Sequence, residues 1–257
     1  GVDRTVPTPD TPALLVINCG SSSIKFALFA VETALPRLVS GALERIGLPQ
    51  GRFFAQDPTG GILFDNEIAL TSHREALELL LEATRNQLFD RTLLAVGHRV
   101  VHGGADCDCP LPVTRELEAR LGRLVPFAPL HLPHNLAGIA AMREIAPSLP
   151  QLACFDTAFH HSLPRIATLT TLPRQFHDEG LRRYGFHGLS YEHVVEVLRE
   201  RGVDVDKERI VAAHLGNGAS MCALRQGSSV ETTMGFSTLA GLMMGTRSGD
   251  LDPGAVL

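Results

Sequence analysis

The stretch "INCGSSSIK" (17–25) sets a polar turn between two apolar runs, where a tight hairpin would need only two residues. Asn18, Ser21 and Ser23 lead into Lys25, one of the two lysines of the chain. The N–H groups and hydroxyls exposed at such a turn suit phosphate oxygens or metal-bound water. It is not a Walker loop, because no G-x-x-x-x-G-K-S/T pattern occurs in the sequence. Residue types alone leave a flexible hairpin loop without a ligand as an equal interpretation.

A second turn of the same kind follows in "HLGNGAS" (214–220), again between two strand-like runs. Gly216, Asn217 and Gly218 allow the backbone to bend and to approach a ligand closely. Asn-Gly is also common in ordinary hairpins, so this turn has a plain structural interpretation too. A polyphosphate held by the two turns is therefore one of two open interpretations.

Arg247 is embedded in the glycine-rich stretch "GFSTLAGLMMGTRSGDLDPG" (235–254). A guanidinium can bind phosphate or carboxylate through two parallel hydrogen bonds, which makes Arg247 a candidate anion clamp. The alternative is an arginine that caps carbonyl groups in an irregular loop. Asp252 and the Pro-Gly that follows it are typical of a turn.

The histidines cluster in several motifs, but their spacing does not indicate zinc. His98 and His102 are four residues apart, yet the valines and glycines around them disfavour the helix that such a zinc pair needs. The H-E-x-x-H pattern is absent, and "CDC" (107–109) has no second cysteine pair. Isolated histidines such as His73 and His160 are interpreted as hydrogen-bonded loop residues.

The composition excludes several classes of partner. A net charge of −5 without any Lys/Arg block argues against a nucleic-acid-binding surface. No apolar run approaches the ~18 residues of a transmembrane helix, so we expect no membrane partner. Five scattered cysteines are typical of reduced thiols in a cytoplasmic protein. Residues 1–12 lack the apolar segment of a signal peptide and are expected to be a disordered leader.

Predicted strands and helices alternate in an order that favours an α/β fold over a sandwich. Runs rich in β-branched residues predict strands at 13–18, 24–31, 62–68, 94–97, 151–155, 210–215 and 219–224. Amphipathic patterns predict helices at 71–89, 113–125, 134–146 and 190–202. At the start of the first helix, Ser72 and Glu75 resemble a capping box.

Seven blocks of this sequence, taken in order, closely resemble the acetate kinase family, within the acetate and sugar kinase/actin superfamily. The blocks are "INCGSSSIKF", "GHRVVHGG", "APLHLPHN", "FDTAFHH", "RRYGFHGLSYEHV", "AHLGNGAS" and "MGTRSGDLDPG". They extend from about Leu14 to Gly254, so the resemblance covers nearly the whole chain.

The resemblance implies an α/β protein of two ribonuclease-H-like lobes (the actin-like ATPase fold), each on a mixed sheet, with the active site in the cleft between them. Residues 13–155 would form the N-terminal lobe and 156–257 the first part of the C-terminal lobe. Family members continue after "GDLDPG" with an adenosine-binding segment, a late glutamate that helps to hold magnesium, and a returning helix. We therefore expect the second lobe of this chain to be incomplete.

The resemblance also implies a phosphotransferase with a carboxyl group as acceptor. The reaction would be reversible in-line phosphoryl transfer from Mg-ATP to acetate, giving acetyl phosphate and ADP. Mg²⁺ or Mn²⁺ would be the metal and ATP or ADP the co-substrate. A full-length protein would be a cytoplasmic homodimer.

Roles follow at the positions that match the family's motifs. Asn18 would be a metal ligand beside the phosphates, with the second ligand, the late glutamate, absent from this chain. The catalytic residues would be Arg99, Asp156, His187 and Arg247. The substrate-binding residues would be Arg99, Val101, Leu130, His131 and Phe186. The phosphate- and ATP-binding residues would be Asn18, Ser21, Ser23, Lys25, His214, Gly216, Asn217 and Gly218.

One departure from the family bears on the acyl group. The family usually has "TPLEGL" where this chain has "STLAGL" (237–242), so Thr238 replaces a proline of the acyl pocket. One methylene in such a pocket is worth only ~1–3 kcal/mol, which leaves propionate kinase and butyrate kinase as alternatives. A third alternative is an inactive chain that retains phosphate or substrate binding alone.

Overall fold

The computed structural model describes residues 12–85 and 91–256, which form two compact units. Unit 1 contains the described residues up to Arg99 together with Pro112–Glu118 and Leu130–Ala153. Unit 2 contains Val100–Leu111, Ala119–Pro129 and the described residues from Cys154 onward. The predicted leader, except for Pro12, lies outside the described residues. The lobe limits drawn from the sequence stay a prediction.

The larger sheet has eight strands. They are β1 (Ala13–Cys19), β2 (Ser23–Ala30), β3 (Arg37–Glu44), β4 (Gly51–Gln56), β5 (Ile62–Ile68), β6 (Leu93–Val100), β7 (Leu111–Pro112) and β8 (Gln151–Phe155). Their order is β5-β4-β3-β2-β1-β6-β8-β7. Because β1 runs antiparallel to β2 and parallel to β6, the sheet is mixed. The predicted α/β fold with a mixed sheet is confirmed.

The first and third helices of the chain contribute to the core of unit 1. The helices in this part of the chain are α1 (His73–Arg85), α2 (Arg115–Gly122) and α3 (Leu132–Ile145). Leu77 of α1 and Met142 of α3 are fully buried in one cluster with Leu15 and Ile17 of β1. Burial of each such side chain stabilises the fold by about 1.5–3 kcal/mol. The opposite face of β1 carries Leu14, Val16 and Asn18, which are half-buried or exposed.

Unit 2 is built on a smaller antiparallel sheet. Its strands are β9 (Arg209–Leu215), β10 (Ala219–Arg225) and β11 (Ser228–Thr232), in the order β11-β10-β9. Its helices are α4 (Arg165–Thr168), α5 (Arg174–Asp178) and α6 (Gly188–Glu200). Short 3-10 helices lie at Val125–Phe127, Ala158–Ser162 and Pro253–Ala255. Tyr191 and Val195 of α6 share a core cluster with Ala212, Cys222 and Leu224 of the sheet.

All seven predicted strands are present, whereas β3, β4, β7 and β11 were not predicted. Position 41 of β3 has no room for a side chain, because a Cβ there would lie 2.1 Å from the Phe54 carbonyl oxygen. The glycine that this requires interrupts the hydrophobic pattern of the strand. Strand β11, "SSVET", is too polar to resemble a strand. Pairing with neighbouring strands, which a local pattern does not contain, decides both cases.

The four predicted helices correspond to α1, α2, α3 and α6, with ends shifted by a few residues. The end of the first predicted helix, residues 86–89, lies outside the described residues. At its start, Ser72 Oγ accepts the Glu75 N–H at 3.2 Å. The Glu75 carboxylate accepts from the N–H and hydroxyl of Thr71, one residue before the position that a capping box uses. Among the described helices, none combines the length and apolar character that a bilayer span requires.

Candidate functional site

Three polar residues predicted for the site share one face of the larger sheet in unit 1. Asn18 of β1 pairs with Lys25 of β2, so the two side chains leave the same face. Arg99 of β6 lies on that face too, and its Nη1 donates to Asn18 Oδ1 at 3.2 Å. Neighbouring residues such as Ile17 and Ile24 point to the opposite, buried face. Strand alternation therefore brings these three groups together.

Side chains of two helices donate hydrogen bonds to the backbone of the turn between β1 and β2. His73 Nε2 at the start of α1 donates to the Gly20 carbonyl oxygen at 2.7 Å. Asn135 Nδ2 of α3 donates to the Cys19 carbonyl oxygen at 2.9 Å. A carbonyl oxygen directed at a phosphate would repel it, so binding these two carbonyls elsewhere favours an anion at the turn. Neither His73 nor Asn135 was predicted as a site residue.

Close packing also fixes the position of this turn. A Cβ at Gly138 of α3 would lie only 2.4 Å from Cys19 Sγ, so α3 contacts the end of β1 through a position without a side chain. Ser21 at the tip of the turn is exposed, and Ser23 is half-buried at the start of β2. The predicted serines therefore lie on a turn whose backbone is fixed by its surroundings.

The described residues do not form a protein cage for a metal ion. No group of three or more His, Cys, Asp or Glu side chains in the described part of the chain could hold one. The Asn18 amide oxygen is hydrogen-bonded to Arg99. Asn18 could add one oxygen to a cation carried by phosphates, but it would not hold a cation alone. Its role as a metal ligand stays a prediction.

Leu130 and His131, two predicted substrate-binding residues, lie in unit 1 at the start of α3. Leu130 is 71% exposed, and His131 is exposed as well. The His131 carbonyl oxygen accepts the N–H groups of His134 and Asn135 and so begins the helix. Val101 and Phe186, the other two apolar substrate-binding residues, belong to unit 2 and are almost completely buried.

In unit 2, two predicted imidazoles stack on each other. The rings of His187 and His214 lie 4.0 Å apart between centroids with an interplanar angle of 22°. His187 Nδ1 is 2.9 Å from Ser220 Oγ, and His214 Nδ1 is 2.9 Å from Ser190 Oγ. Each imidazole is therefore fixed at its Nδ1 atom by a serine that was not predicted.

Arg247 and His187 converge beside the second glycine-rich turn. A Cβ added to Gly218 would lie 2.8 Å from Arg247 Nη2 and 3.2 Å from His187 Nε2. Arg247 Nη1 donates to the Thr238 carbonyl oxygen at 2.8 Å, which holds the guanidinium in place. Partial burial lowers the pKa of Arg247 from its ordinary value, yet an arginine stays protonated in proteins. The arrangement presents a positive charge and an imidazole nitrogen at one point.

Asp156 is anchored through its backbone at the junction of two elements. Its N–H donates to the Val100 carbonyl oxygen at 3.0 Å, and its carbonyl oxygen accepts the Gly188 N–H at 2.8 Å. A Cβ at Gly188 would lie 2.3 Å from that carbonyl oxygen, so only glycine fits there. His187, directly before it, has the left-handed φ of 60°. The backbone at His187 is therefore fixed by its own left-handed conformation and by the close contact of Gly188 with Asp156, and this sets the position of the imidazole ring.

Buried aromatic side chains adjoin this part of unit 2. His102 packs edge-on against Tyr184 and Phe186, with ring centroids 4.5 and 5.6 Å away. Its Nδ1 accepts the Gly104 N–H at 2.9 Å, so Nε2 carries the hydrogen. Among the described residues, that Nε2 has no hydrogen-bond partner. Burial lowers the pKa of His102 to about 4, and the ring is neutral at pH 7.

His160, which the sequence suggested was a hydrogen-bonded loop residue, is hydrogen-bonded as expected, but it lies in a short 3-10 helix and is 1% exposed within a buried network. Its Nδ1 lies 2.8 Å from Ser229 Oγ, and its Nε2 donates to the Phe186 carbonyl oxygen at 2.9 Å. Burial lowers the pKa of His160 to about 4, opposed by its hydrogen bond to the Phe186 carbonyl and by the nearby Asp156. The ring therefore holds the segment before His187 as a neutral hydrogen-bonding group.

The predicted site residues thus fall into two groups, one in each unit. Unit 1 contains Asn18, Ser21, Ser23, Lys25, Arg99, Leu130 and His131. Unit 2 contains Val101, Asp156, Phe186, His187, His214, Gly216, Asn217, Gly218 and Arg247. Their individual roles stay predictions. Tyr191 and Asn135 were missed, because the partner of each is far away in sequence: Ser220 is 29 residues from Tyr191, and Cys19 is 116 residues from Asn135.

Comparison with known proteins places these groups in context. Residues 13–257 match the acetokinase family. The chain is 49% identical over 249 residues to the acetate kinase of Rhodopseudomonas palustris, which covers 95% of this chain and 62% of that protein. The crystal structure of Porphyromonas gingivalis acetate kinase resembles it with a TM-score of 0.84 at 37% identity. For a propionate kinase from Francisella tularensis subsp. tularensis the TM-score is 0.87 at 34% identity.

Both structural comparisons cover 95% of this chain and 63% of the other chain. The chain therefore spans less than two thirds of the length of the relatives that it matches.

Proposed function

This chain belongs to the acetokinase family, and from that premise we propose that its protein transfers a phosphoryl group reversibly between Mg-ATP and acetate. The products of the forward reaction are acetyl phosphate and ADP. The observation that carries the proposal is the convergence of Arg247 Nη2 and His187 Nε2 beside the glycine-rich turn at Gly218. A guanidinium and an imidazole at one point, next to a turn without side chains, suit an anionic group with several oxygens.

The chemistry needs positioning and charge neutralisation more than a base. An acetate oxygen attacks the γ-phosphorus, a new P–O bond forms, and the bond to the ADP oxygen breaks, with no net proton transfer. Acetate is already ionised near pH 7, so the main obstacle is repulsion between two anions. Arginines that offset such repulsion can supply ~10³–10⁵ in rate.

In unit 2, we assign Arg247 to the charge of the phosphoryl group in transit. Thr238 holds Nη1 of the guanidinium, which leaves Nη2 directed to the side of Gly218. His187 would hold the same group through Nε2. Asn217, Gly216 and His214 belong to the turn and strand end around them. Asp156 is proposed as the acid that faces substrate and metal.

In unit 1, the turn after β1 is proposed to bind nucleotide phosphates through Ser21, Ser23 and Lys25. The fixed carbonyls of Cys19 and Gly20 support this role, because they are engaged by Asn135 and His73. Arg99 would bind the acetate carboxylate. Its contact with Asn18 keeps the guanidinium on the polar face of the sheet, next to the turn.

Magnesium, or manganese in its place, would enter as the complex with the nucleotide phosphates. The ion neutralises charge on the β- and γ-phosphates when it is bound. Asn18 would add one amide oxygen, and the rest of the coordination would come from phosphate and water, as Mg²⁺ usually has it. We propose that the whole protein works as a cytoplasmic homodimer, where ATP and acetate are both supplied.

The acyl group is the least constrained part of the proposal. Thr238 stands where the family has proline, and its carbonyl rather than its side chain holds Arg247. The resemblance to a propionate kinase structure makes propionate the second candidate substrate. A pocket that differs by one methylene discriminates by only ~1–3 kcal/mol, so turnover of both acids is compatible with the same site.

The test is acyl-phosphate formation by the full-length protein, trapped with hydroxylamine, from Mg-ATP and acetate, propionate or butyrate. We expect turnover with acetate and a lower kcat/KM with butyrate. A higher kcat/KM with propionate would change the assigned substrate and keep the reaction. Binding of inorganic pyrophosphate without turnover of any acid would contradict the kinase and favour a chain that only binds phosphate.

A further inference from the structure

In unit 2, Ser220 and Tyr191 form a row of hydrogen-bonded groups on the Nδ1 side of the His187 ring. His187 Nδ1 lies 2.9 Å from Ser220 Oγ. The Tyr191 hydroxyl is hydrogen-bonded to the same Ser220 oxygen. The Tyr191 oxygen also accepts a hydrogen bond from the backbone N–H of His214. Tyr191 and Ser220 are completely buried, so bulk water does not compete for these contacts.

Counting hydrogens gives this row a direction. Tyr191 is completely buried, and among the described residues Ser220 Oγ is the acceptor at its hydroxyl, so the single phenol hydrogen is donated to Ser220. Ser220, which accepts that hydrogen, donates its own to His187 Nδ1. A neutral imidazole that accepts at Nδ1 carries its hydrogen on Nε2.

Nε2 faces the second glycine-rich turn. It lies 3.2 Å from the position of a Cβ on Gly218, and Arg247 Nη2 lies 2.8 Å from the same position. The only groups that His187 and Arg247 would present there are N–H donors. An anion with several oxygens can accept from both at once.

Building on the proposed kinase function, we propose that Tyr191 and Ser220 are positioning residues that fix His187 in the tautomer with hydrogen on Nε2. This N–H then donates to the phosphoryl group as it is transferred.

Electrostatics gives the tautomer its importance. In the other tautomer, the lone pair of Nε2 would face the negatively charged oxygens and repel them. A neutral N–H donor avoids that repulsion at every pH at which the ring is uncharged. Burial raises the pKa of the Tyr191 phenol, so the hydrogen that begins the row remains in place at neutral pH.

The backbone conformation of His187 and one ring contact also restrict the orientation of its imidazole. Its left-handed backbone, with φ of 60° and ψ of 22°, sets the direction in which the side chain leaves the chain. The stacked His214 ring, held by Ser190 Oγ, prevents rotation out of that plane. With the ring plane fixed, Ser220 decides which nitrogen carries the hydrogen.

The decisive experiment is NMR on the protein labelled with ¹⁵N at histidine, which distinguishes the two neutral tautomers of each ring. We expect His187 to show a protonated Nε2 and an unprotonated Nδ1. Ser220→Ala should convert this signature to a mixture of tautomers. Tyr191→Phe, which leaves the Ser220 hydroxyl in place, should cause a smaller change.

The chain offers a matched control for each variant. Tyr184→Phe removes the same atom from the other tyrosine, whose hydroxyl donates to the Gly180 carbonyl at 2.9 Å. Ser229→Ala removes a buried serine that lies 2.8 Å from Nδ1 of a different histidine, His160. Both controls should leave the His187 signature unchanged, and His160 should keep its hydrogen on Nε2 in Ser229→Ala because the Phe186 carbonyl oxygen can only accept.

Kinetics then measure what the tautomer contributes. Ser220→Ala should lower kcat for acyl-phosphate formation at least about tenfold, within the ~10⁴ that a wrong tautomer costs a serine protease, while KM for acetate changes less than about threefold. A wild-type His187 with its hydrogen on Nδ1 would overturn the proposal, as would an unchanged signature or unchanged kcat in Ser220→Ala. The NMR result is independent of turnover, so a protein with the expected tautomer but no activity would contradict the proposed reaction alone.

Discussion

The two turns that we propose bind phosphate, 18–25 and 214–220, are fixed by their surroundings in different ways. At the first turn, in unit 1, helix side chains hold the backbone carbonyls of Cys19 and Gly20. At the second, in unit 2, serine hydroxyls hold the side chains of His187 and His214. The first turn therefore relies on a fixed backbone, and the second on fixed side chains.

Because of this difference, substitutions at the two turns should differ in whether they lower stability or function. A fixed backbone is part of the core, so damage to it costs stability before it costs function. Side-chain ends that converge on an open position can be moved at little cost to the free energy of folding. Binding of an anion, however, depends on the positions of these ends.

Loss of Arg247 should have the largest effect of any single change in unit 2. Arg247→Ala removes the charge beside Gly218, and we expect kcat to fall at least about a hundredfold with the fold intact. Hydroxylamine-trapped acyl phosphate and circular dichroism measure the two quantities. Arg225→Ala, at an exposed position of β10, is the matched control and should keep wild-type turnover. Near-normal kcat in Arg247→Ala would remove it from the mechanism.

Two glycine substitutions separate the turns directly. Gly138→Ala puts a Cβ 2.4 Å from Cys19 Sγ in the packed core of unit 1, so we expect a loss of about 1–3 kcal/mol in unfolding free energy. Gly218→Ala meets only the ends of Arg247 and His187, so stability should change by less than about 0.5 kcal/mol. The same variant should lower kcat about tenfold or more, because a 1 Å displacement of such groups can cost ~10²-fold.

Urea denaturation and steady-state kinetics on both glycine variants check the pair. The double variant Cys19→Ala/Gly138→Ala removes the colliding sulfur and should recover part of the lost stability. A Gly218→Ala protein that is as unstable as Gly138→Ala would show that the second turn is packed like the first.

The two turns also differ in how far the sequence revealed them. Glycine and serine types located both, but the pairing of Asn18 with Lys25 depends on the hairpin register, which residue types alone do not determine. The bracing residues His73, Asn135 and Ser220 were missed, because each contacts a group far away in sequence. His73 and Gly20, for example, are 53 residues apart. A local pattern carries no information on such contacts, and the same holds for Tyr191, whose partner Ser220 is 29 residues away.

Acid should destabilise the molecule through its buried histidines. Burial lowers the pKa to about 4 at His98 in unit 1 and at His102 and His160 in unit 2. Their rings are neutral when folded but bind protons below pH ~6.5 when unfolded. Stability is therefore complete above that pH and is lost as the pH falls from ~6.5 toward 4, by about 2 kcal/mol per histidine at pH 5.

Hydrogen exchange at pH 7.5 and pH 5 resolves this loss by unit. Unit 2 holds two of these three histidines and should lose more protection on acidification than unit 1. His102→Phe removes one titrating ring while keeping an aromatic side chain beside Tyr184, so its stability should depend less on pH. Equal pH dependence in His102→Phe and wild type would mean that this ring is not the source.

The smallest effect is expected at the brace of the first turn. His73→Phe keeps a ring but removes the donor to the Gly20 carbonyl, which costs about 1 kcal/mol of hydrogen bonding at an ordered turn. We expect KM for Mg-ATP to rise about three- to tenfold while KM for acetate is unchanged. His73→Gln, whose amide can still donate, should lie closer to wild type. His134→Phe alters the ring that stacks on His73 and is the control. If His73→Phe and His134→Phe had the same effect, ring packing rather than the fixed carbonyl would prepare the turn, and the backbone-based half of the contrast would be lost.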